Sequence, residues 1–357
     1  MRLRRVTATA VVIVAGACGS SGDSEPSPSP TGSDRAARSD LVLSARLTPD
    51  KPGCSAAVGV DGQVVWTGFR GVADLASATP ISADTVFDIA SVSKQFTATA
   101  VLLLAQEGAL SIQDTLDTRL SGMPAWAGQV TIAQLIHHDS GIPEYFKVME
   151  ARGHAFEERA TQADAVRSIA SNPRLGFRPG AKFEYSNSNY VLLAEVVHRV
   201  SGSPLPEFLR QRVFGPLGLG MVMAPVEKVA GKATSYDGLE LRVATSPWEM
   251  IGDGSVQSTP SDLVRWADNY RTGKVGGPAF LTAQLADPVD SDVPGESAYA
   301  AGIVVAKDGA LSHEGGWLGF RTSFQVTADR HVAVAVACNA ANHDPAPMAE
   351  QLRRIWA

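Results

Sequence analysis

The chain carries no excess of basic residues. Its 31 lysines and arginines stand against 37 acids, a formal net charge of −6 over 357 residues. Binding along a phosphate backbone needs the opposite sign, which argues against nucleic acid as a partner. A metal-ligand pattern is lacking too: His137 and His138 are adjacent rather than one helical turn apart, and neither joins cysteines or carboxylates at ligand spacing. No metal or other cofactor is required. There is no internal repeat, and no apolar run long enough to span a bilayer. Cysteine is scarce, at three residues. What remains is a chain 45% hydrophobic and 19% charged, enough to bury a sizeable core. Nothing in the sequence fixes its oligomeric state.

The first 17 residues read as an address. "MRLRR" supplies positive charge, "VTATAVVIVAGA" is a short run of apolar and small residues, and Cys18 ends it. Gly16 and Ala17 before a cysteine resemble a bacterial lipoprotein signal, in which cleavage leaves Cys18 carrying lipid. Ala15 departs from that pattern, where a larger aliphatic residue is more usual, and an ordinary secretory leader is the alternative. "GSSGDSEPSPSPTGSD" follows and reads as a flexible tether, so residues 18–40 are expected to hold the folded part away from a membrane surface. Outside the cytosol Cys54 and Cys338 are free to pair, or they are two unrelated buried thiols.

From residue 41 onward, strand-like runs cluster at both ends and helical patterns fill the middle. "SAAVGVDGQVVWTGFRG" is two strands around Asp61-Gly62, a hairpin signal because both turn positions need positive φ, and Asp308-Gly309 repeats the pattern near the far end. "TIAQLIHH" opens with Thr131 and Gln134 in capping-box spacing, and "TPSDLVRW" with Thr259 as cap and Pro260 at the first helical position. The expected fold class is α+β: a mainly antiparallel sheet flanked by helices, with a helical subdomain inserted. The sheet part falls at about 41–108 and 295–357, and the helical part at about 109–294.

Three short segments carry chemistry. In "FDIASVSKQF", Ser91 and Lys94 stand three apart where a helix begins, so the amine can reach the hydroxyl and take its proton. In "RPGAKFEYSNSNYVLL", Tyr185 offers a proton shuttle and Asn187 an amide that both donates and accepts. In "LSHEGGWLGF", His313 and Glu314 precede Gly315 and Gly316 on a strand whose glycines suit a ligand laid along an edge. Each has a plain alternative. S-x-x-K arises by chance, Y-S-N is a helix-capping loop with Asn187 or Ser188 as cap, and a Gly-Gly pair is often only a bulge.

Taken in order, S-V-S-K, Y-S-N and H-x-G resemble the serine β-lactamase and penicillin-binding protein superfamily. The tyrosine in the second motif is similar to the class C-like branch, which holds class C β-lactamases, D-alanyl-D-alanine carboxypeptidases, related esterases and D-amino-acid peptidases. The resemblance runs from about Leu41 to Ala357 and includes "TIAQLIHHDSGIP" and "GDGSVQSTPSDLVRW". It implies an exported serine acyl hydrolase with Ser91 as the acylated nucleophile and Lys94 as its activating partner. Tyr185 would pass the proton to the leaving group and later activate water. Asn187 would hold the substrate's amide, His313 would help poise Tyr185, and the backbone N–H groups of Ser91 and Gly316 would form the oxyanion hole. Such folds also set the first strand antiparallel beside the last, which implies a Cys54–Cys338 disulfide.

The third motif departs from the usual Lys-Thr-Gly or Lys-Ser-Gly. A histidine near pKa 6.5 is a weaker anchor for a substrate carboxylate than lysine, and Glu314, if it faces the cleft, repels one. With His313, Glu314 and Gly315 at the substrate, the expectation is a carboxypeptidase-like or esterase-like hydrolase of small molecules or cell-wall peptides, with little β-lactamase activity. A true class C-like β-lactamase, or a non-catalytic peptidoglycan- or penicillin-binding module, are the alternatives.

Overall fold

A computed structural model describes residues 31–291 and 297–357. The leader and Cys18 lie outside the described residues. Within the stretch assigned to a tether, however, a helix α1 (Gly32–Ser44) begins. Thr31 caps it in a capping box with Asp34, and its apolar face, Val42 and Leu43, is buried, so the folded part starts about ten residues before 41.

Eight strands form the main sheet: β1 (Cys54–Val60), β2 (Gln63–Arg70), β3 (Val289–Asp290), β4 (Ala298–Tyr299), β5 (Val304–Val305), β6 (Leu311–Trp317), β7 (Phe320–Val326) and β8 (Val332–Cys338). Their spatial order is β3-β4-β5-β6-β7-β8-β1-β2, antiparallel throughout. The first long strand therefore lies beside the last, with Cys54 opposite Cys338, and the two are joined in a disulfide across 284 residues of chain.

β1 and β8 are almost wholly buried because both faces of the sheet are covered. On one face Ala56, Val58, Val334 and Val336 meet α1 and the last helix, α7 (Ala346–Trp356). On the other, Ala57, Phe324 and Ala335 meet the large core formed by the helices between the two strand groups. In that core α2 (Lys94–Gln106) packs on α5 (Asn187–Ser201), and Phe96 sits edge-on to Phe214 and 4.9 Å from Trp266.

The division near 109 and 294 is not where the packing divides. α2 belongs with the helices, whereas α6 (Pro260–Ala267) returns to the sheet and packs on β1, β2 and β8. Its period of apolar residues, Leu263, Val264, Trp266 and Ala267, seats it there.

The turns follow local chemistry. Asp61 and Gly62 both take positive φ, as a two-residue hairpin requires. At Asp308-Gly309 only Gly309 does, because the Asp308 carboxylate accepts the backbone N–H of Ala310 and builds a different turn. Thr131 and Gln134 form a reciprocal capping box at the start of α3 (Ile132–Ile136).

Candidate active site

Ser91 lies on a 3-10 turn, Ala90–Ser93, that runs directly into α2. Ala90 takes a left-handed φ of 48°, unfavourable for a residue with a Cβ. Asp88 holds it there: one carboxylate oxygen accepts the Ala90 N–H at 2.8 Å and the other accepts from Gln257 Nε2 at 2.8 Å. Gly315 completes the support. A Cβ at that position would lie 2.2 Å from the Ile89 carbonyl oxygen, so only glycine lets β6 close on the turn.

Lys94 is fully buried one turn after Ser91. Its Nζ makes three hydrogen bonds: to Ser91 Oγ at 3.0 Å, Asn187 Oδ1 at 2.8 Å and the Asp253 carbonyl at 2.6 Å. The arrangement serves both protonation states. An ammonium donates to all three oxygens; a neutral amine donates to Asn187 and Asp253 and accepts the serine proton on its lone pair. The Asp253 carbonyl is presented by a loop whose Gly252 has a φ of 100° and lies so close to the Tyr190 carbonyl that a Cβ would meet it at 2.3 Å.

Asn187 opens α5, but it is not the helix cap. Ser186 holds that position without a side-chain bond, and Ser188 Oγ donates to the Pro143 carbonyl instead. Glu144 takes over the capping, its Oε2 accepting both Asn187 N–H at 2.9 Å and Asn187 Nδ2–H at 3.0 Å. One Nδ2 hydrogen of Asn187 is left for a substrate carbonyl.

Tyr185 is partly exposed at 38%, with Lys94 Nζ 4.9 Å from its ring centroid. Its ring stacks on His138 at 4.2 Å. His138 is buried, and burial followed by the charge of Lys94 drives its pKa well below the usual value, so the ring is neutral. Its Nδ1 accepts from the Ser186 N–H and Asn189 Nδ2, which leaves the proton on Nε2.

The third motif behaves differently from the expectation. His313 is buried, and its pKa falls to about 4, chiefly through burial. Its Nδ1 donates to the Glu314 carbonyl at 2.7 Å, so Nε2 accepts from the Tyr299 hydroxyl at 3.0 Å. A neutral ring with both nitrogens occupied anchors no carboxylate, and its partner is Tyr299 rather than Tyr185. Glu314, on the opposite face of β6, accepts from Ser323 Oγ at 2.8 Å and lines a separate depression with Arg321, His343 and Asp344. Strand alternation turns it away from the Ser91 cleft. Of the four residues assigned to substrate from the sequence, only Asn187 lines that cleft; Gly315 serves backbone packing.

The cleft, about 510 Å³ of space counted out into open solvent, brings together Ser91, Asn187, Asp253 and Gly316 with Tyr145, Phe146, Trp248, Met250 and Trp317. The sequence reading missed Glu144, Tyr145 and Asp253. Tyr145 donates its hydroxyl to Asp253 Oδ2 at 3.1 Å, and burial raises Asp253 to about 6. Only "GDG" around Asp253 hinted at a tight functional loop, and no spacing rule connects Glu144 to a residue 43 positions on. Among the described residues no group of histidines, cysteines and carboxylates is placed to hold a metal ion.

Set against known proteins, the Beta-lactamase family model matches residues 42–355, and the chain belongs to that family. It is 29% identical over 290 residues to penicillin-binding protein 4* of Bacillus subtilis strain 168, covering 73% of this chain and 62% of that one. To a D-aminopeptidase of Cereibacter sphaeroides strain ATCC 17029 it is 27% identical over 302 residues, 81% of this chain and 57% of the relative. The chain thus spans about 60% of the length of these curated relatives. The octameric penicillin-binding protein homologue from Pyrococcus abyssi shares the fold with a TM-score of 0.76 at 24% identity, covering 89% of this chain and 75% of the other.

Proposed function

We propose that this protein is a serine acyl hydrolase working through a covalent acyl-enzyme on Ser91. The observation that carries the reading is the buried Lys94 amine, fixed by Asn187 and the Asp253 carbonyl and bonded to Ser91 Oγ. Lys94 takes the hydroxyl proton as Oγ attacks a carbonyl carbon, and the N–H groups of Ser91 and Gly316 receive the oxyanion. Tyr185 relays the proton to the departing amine or alcohol. Water then attacks the ester, giving its proton back through the same groups and releasing the acid and Ser91.

Amides or peptides of D-amino acids and simple esters rank above carboxylate-bearing β-lactams as substrates. The similarity to a D-aminopeptidase favours the former. The neutral His313 removes the charge that would hold a β-lactam carboxylate. A D-alanyl carboxypeptidase reading draws on Arg321, which lines the depression beside Gly316. Against it, Arg321 Nη1 is committed to the carbonyls of Leu318 and Phe320, and Glu314 and Asp344 share the depression.

Export and anchoring through Cys18 belong to the same proposal, supported by the leader and by a disulfide suited to an oxidising compartment. Radiolabelled palmitate incorporated by the full chain and lost in Cys18→Ser tests the anchor.

The activity is tested by offering p-nitrophenyl esters, D-amino-acid amides, D-alanyl-D-alanine peptides and nitrocefin side by side. Esters and D-amino-acid amides turning over at least tenfold faster than nitrocefin is the expected result, on the order of one lost charge contact. Faster nitrocefin hydrolysis would overturn the ranking. Binding of all four classes without turnover would point to a non-catalytic module.

A further inference from the structure

The cleft has a wall that the acylation chemistry does not use. Phe146, Trp248 and Trp317 line it beside Ser91 and Asn187, and the same three rings continue outward into a second hollow with Phe156, Glu150 and His154. Phe146 stacks on Trp248 at 5.3 Å and on Trp317 at 6.0 Å, while Phe156 packs 5.1 Å from Trp248 and 5.7 Å from Trp317. These rings come from four separate segments: α4 (Tyr145–Ala151), the chain after it, the loop before Met250 and the end of β6.

Core packing accounts for only part of the assembly: Trp248 is buried in the main core, with Phe146 and Trp317 against it. Phe156 is 40% exposed, and Phe146 and Trp317 are only partly buried. Clustered aromatic surface left open to water marks a place where something apolar binds. Here it is continuous with the nucleophile's own cleft.

Charge narrows the occupant. No lysine or arginine among the described residues lines either part, whereas Asp253 and Glu150 do. A carboxylate-bearing group is disfavoured, and an uncharged or amine-bearing one is accepted, since aromatic faces attract cations. The proton relay assigned to the leaving group, Tyr185, is absent from this wall and packs instead on His138 and Tyr299. In the proposed reaction the departing group leaves on the Tyr185 side, so the aromatic slot, in the cleft that Asn187 also lines, receives the acyl side.

Resting on the acyl-hydrolase reading above, we infer that Phe146, Trp248, Trp317 and Phe156 select an aromatic or large apolar side chain on the acyl part of an uncharged or amine-bearing substrate. Small acyl groups leave the slot wet, and acidic ones meet Glu150 and Asp253.

The test holds the leaving group constant and varies the acyl group: p-nitrophenyl 3-phenylpropionate against p-nitrophenyl acetate, and D-phenylalanine amide against D-alanine amide. Burying one ring predicts kcat/KM roughly tenfold or more higher for the aromatic member of each pair. In Phe156→Ala and Trp317→Ala that ratio should fall to within about threefold of one, by the same reckoning from lost ring burial. Melting curves confirm that the variants fold. Ratios near one in the wild type, or unchanged ratios in both folded variants, overturn the inference. Failure of a fluorophosphonate to label Ser91 would instead overturn the acyl-enzyme reading beneath it, so the two failures are told apart.

Discussion

His313 hands its Nε2 to the Tyr299 hydroxyl, 3.0 Å away inside the protein, rather than to the cleft. Burial holds the ring neutral until about pH 4, whereas in the unfolded chain it takes a proton near 6.5. Between those values the unfolded state binds more protons, so His313 makes the fold lose stability as pH falls from 6.5 toward 4. Urea unfolding at pH 7 and pH 4.5 should show the wild type losing about 2 to 3 kcal/mol more than His313→Gln over that interval. Equal losses would mean that His313 titrates normally in the fold. Asp253, raised to about 6, has the opposite slope, but it is common to both proteins and cancels.

Glu144 is expected to act on the reaction through Asn187. Removing its carboxylate in Glu144→Ala frees both the backbone and the side-chain amide that it holds. A misplaced Asn187 lowers kcat/KM roughly tenfold to a hundredfold. Glu144→Gln keeps an accepting oxygen and should recover part of that loss. A merely structural Glu144 would lower the melting temperature without separating the two variants in kcat.

Glu314 should be nearly silent. It lies on the far face of β6, bonded to Ser323. Glu314→Gln is expected to change kcat/KM for a carboxylate-bearing substrate by less than about threefold, because the side chain faces away from the cleft and burial of its carboxyl raises the pKa to about 8, so that it carries little charge at pH 7. A tenfold gain would restore it as a barrier to such substrates.

The Cys54–Cys338 disulfide closes 284 residues of chain and joins the first long strand to the last. The double variant Cys54→Ala/Cys338→Ala should lose about 3 to 5 kcal/mol in urea unfolding. Loss of less than 1 kcal/mol, on the order of a single ordinary contact, would mean that strand pairing alone closes the sheet.

Local chemistry was legible in the sequence where one segment decides it. The Asp61-Gly62 turn, the Thr131 and Thr259 helix starts and the one-turn spacing of Ser91 and Lys94 all follow from residues within four positions of each other. Side-chain direction across the sheet was not legible. His313 and Glu314 are neighbours in sequence, and which one faced the turn at Ser91 depended on strand register and on the contact of Gly315 with Ile89. Long-range polar partners were equally hidden: Glu144, just before α4, meets the start of α5 at Asn187 43 residues on, and the Asp253 carbonyl reaches Lys94 from a loop 159 residues away. The start of the fold was equally hidden, because polar "TGSDRAARSD" conceals a capped helix with one narrow apolar edge.

Acylation of Ser91 is tested most directly by intact-mass spectrometry after brief exposure to a fluorophosphonate, with peptide mapping of the adduct. A single adduct on Ser91 is expected, absent in Ser91→Ala and formed at least about a hundredfold more slowly in Lys94→Ala, the scale of a lost general base. Equally fast labelling of Lys94→Ala, or an adduct on another residue, would contradict the assignment of Lys94 and Ser91 as base and nucleophile.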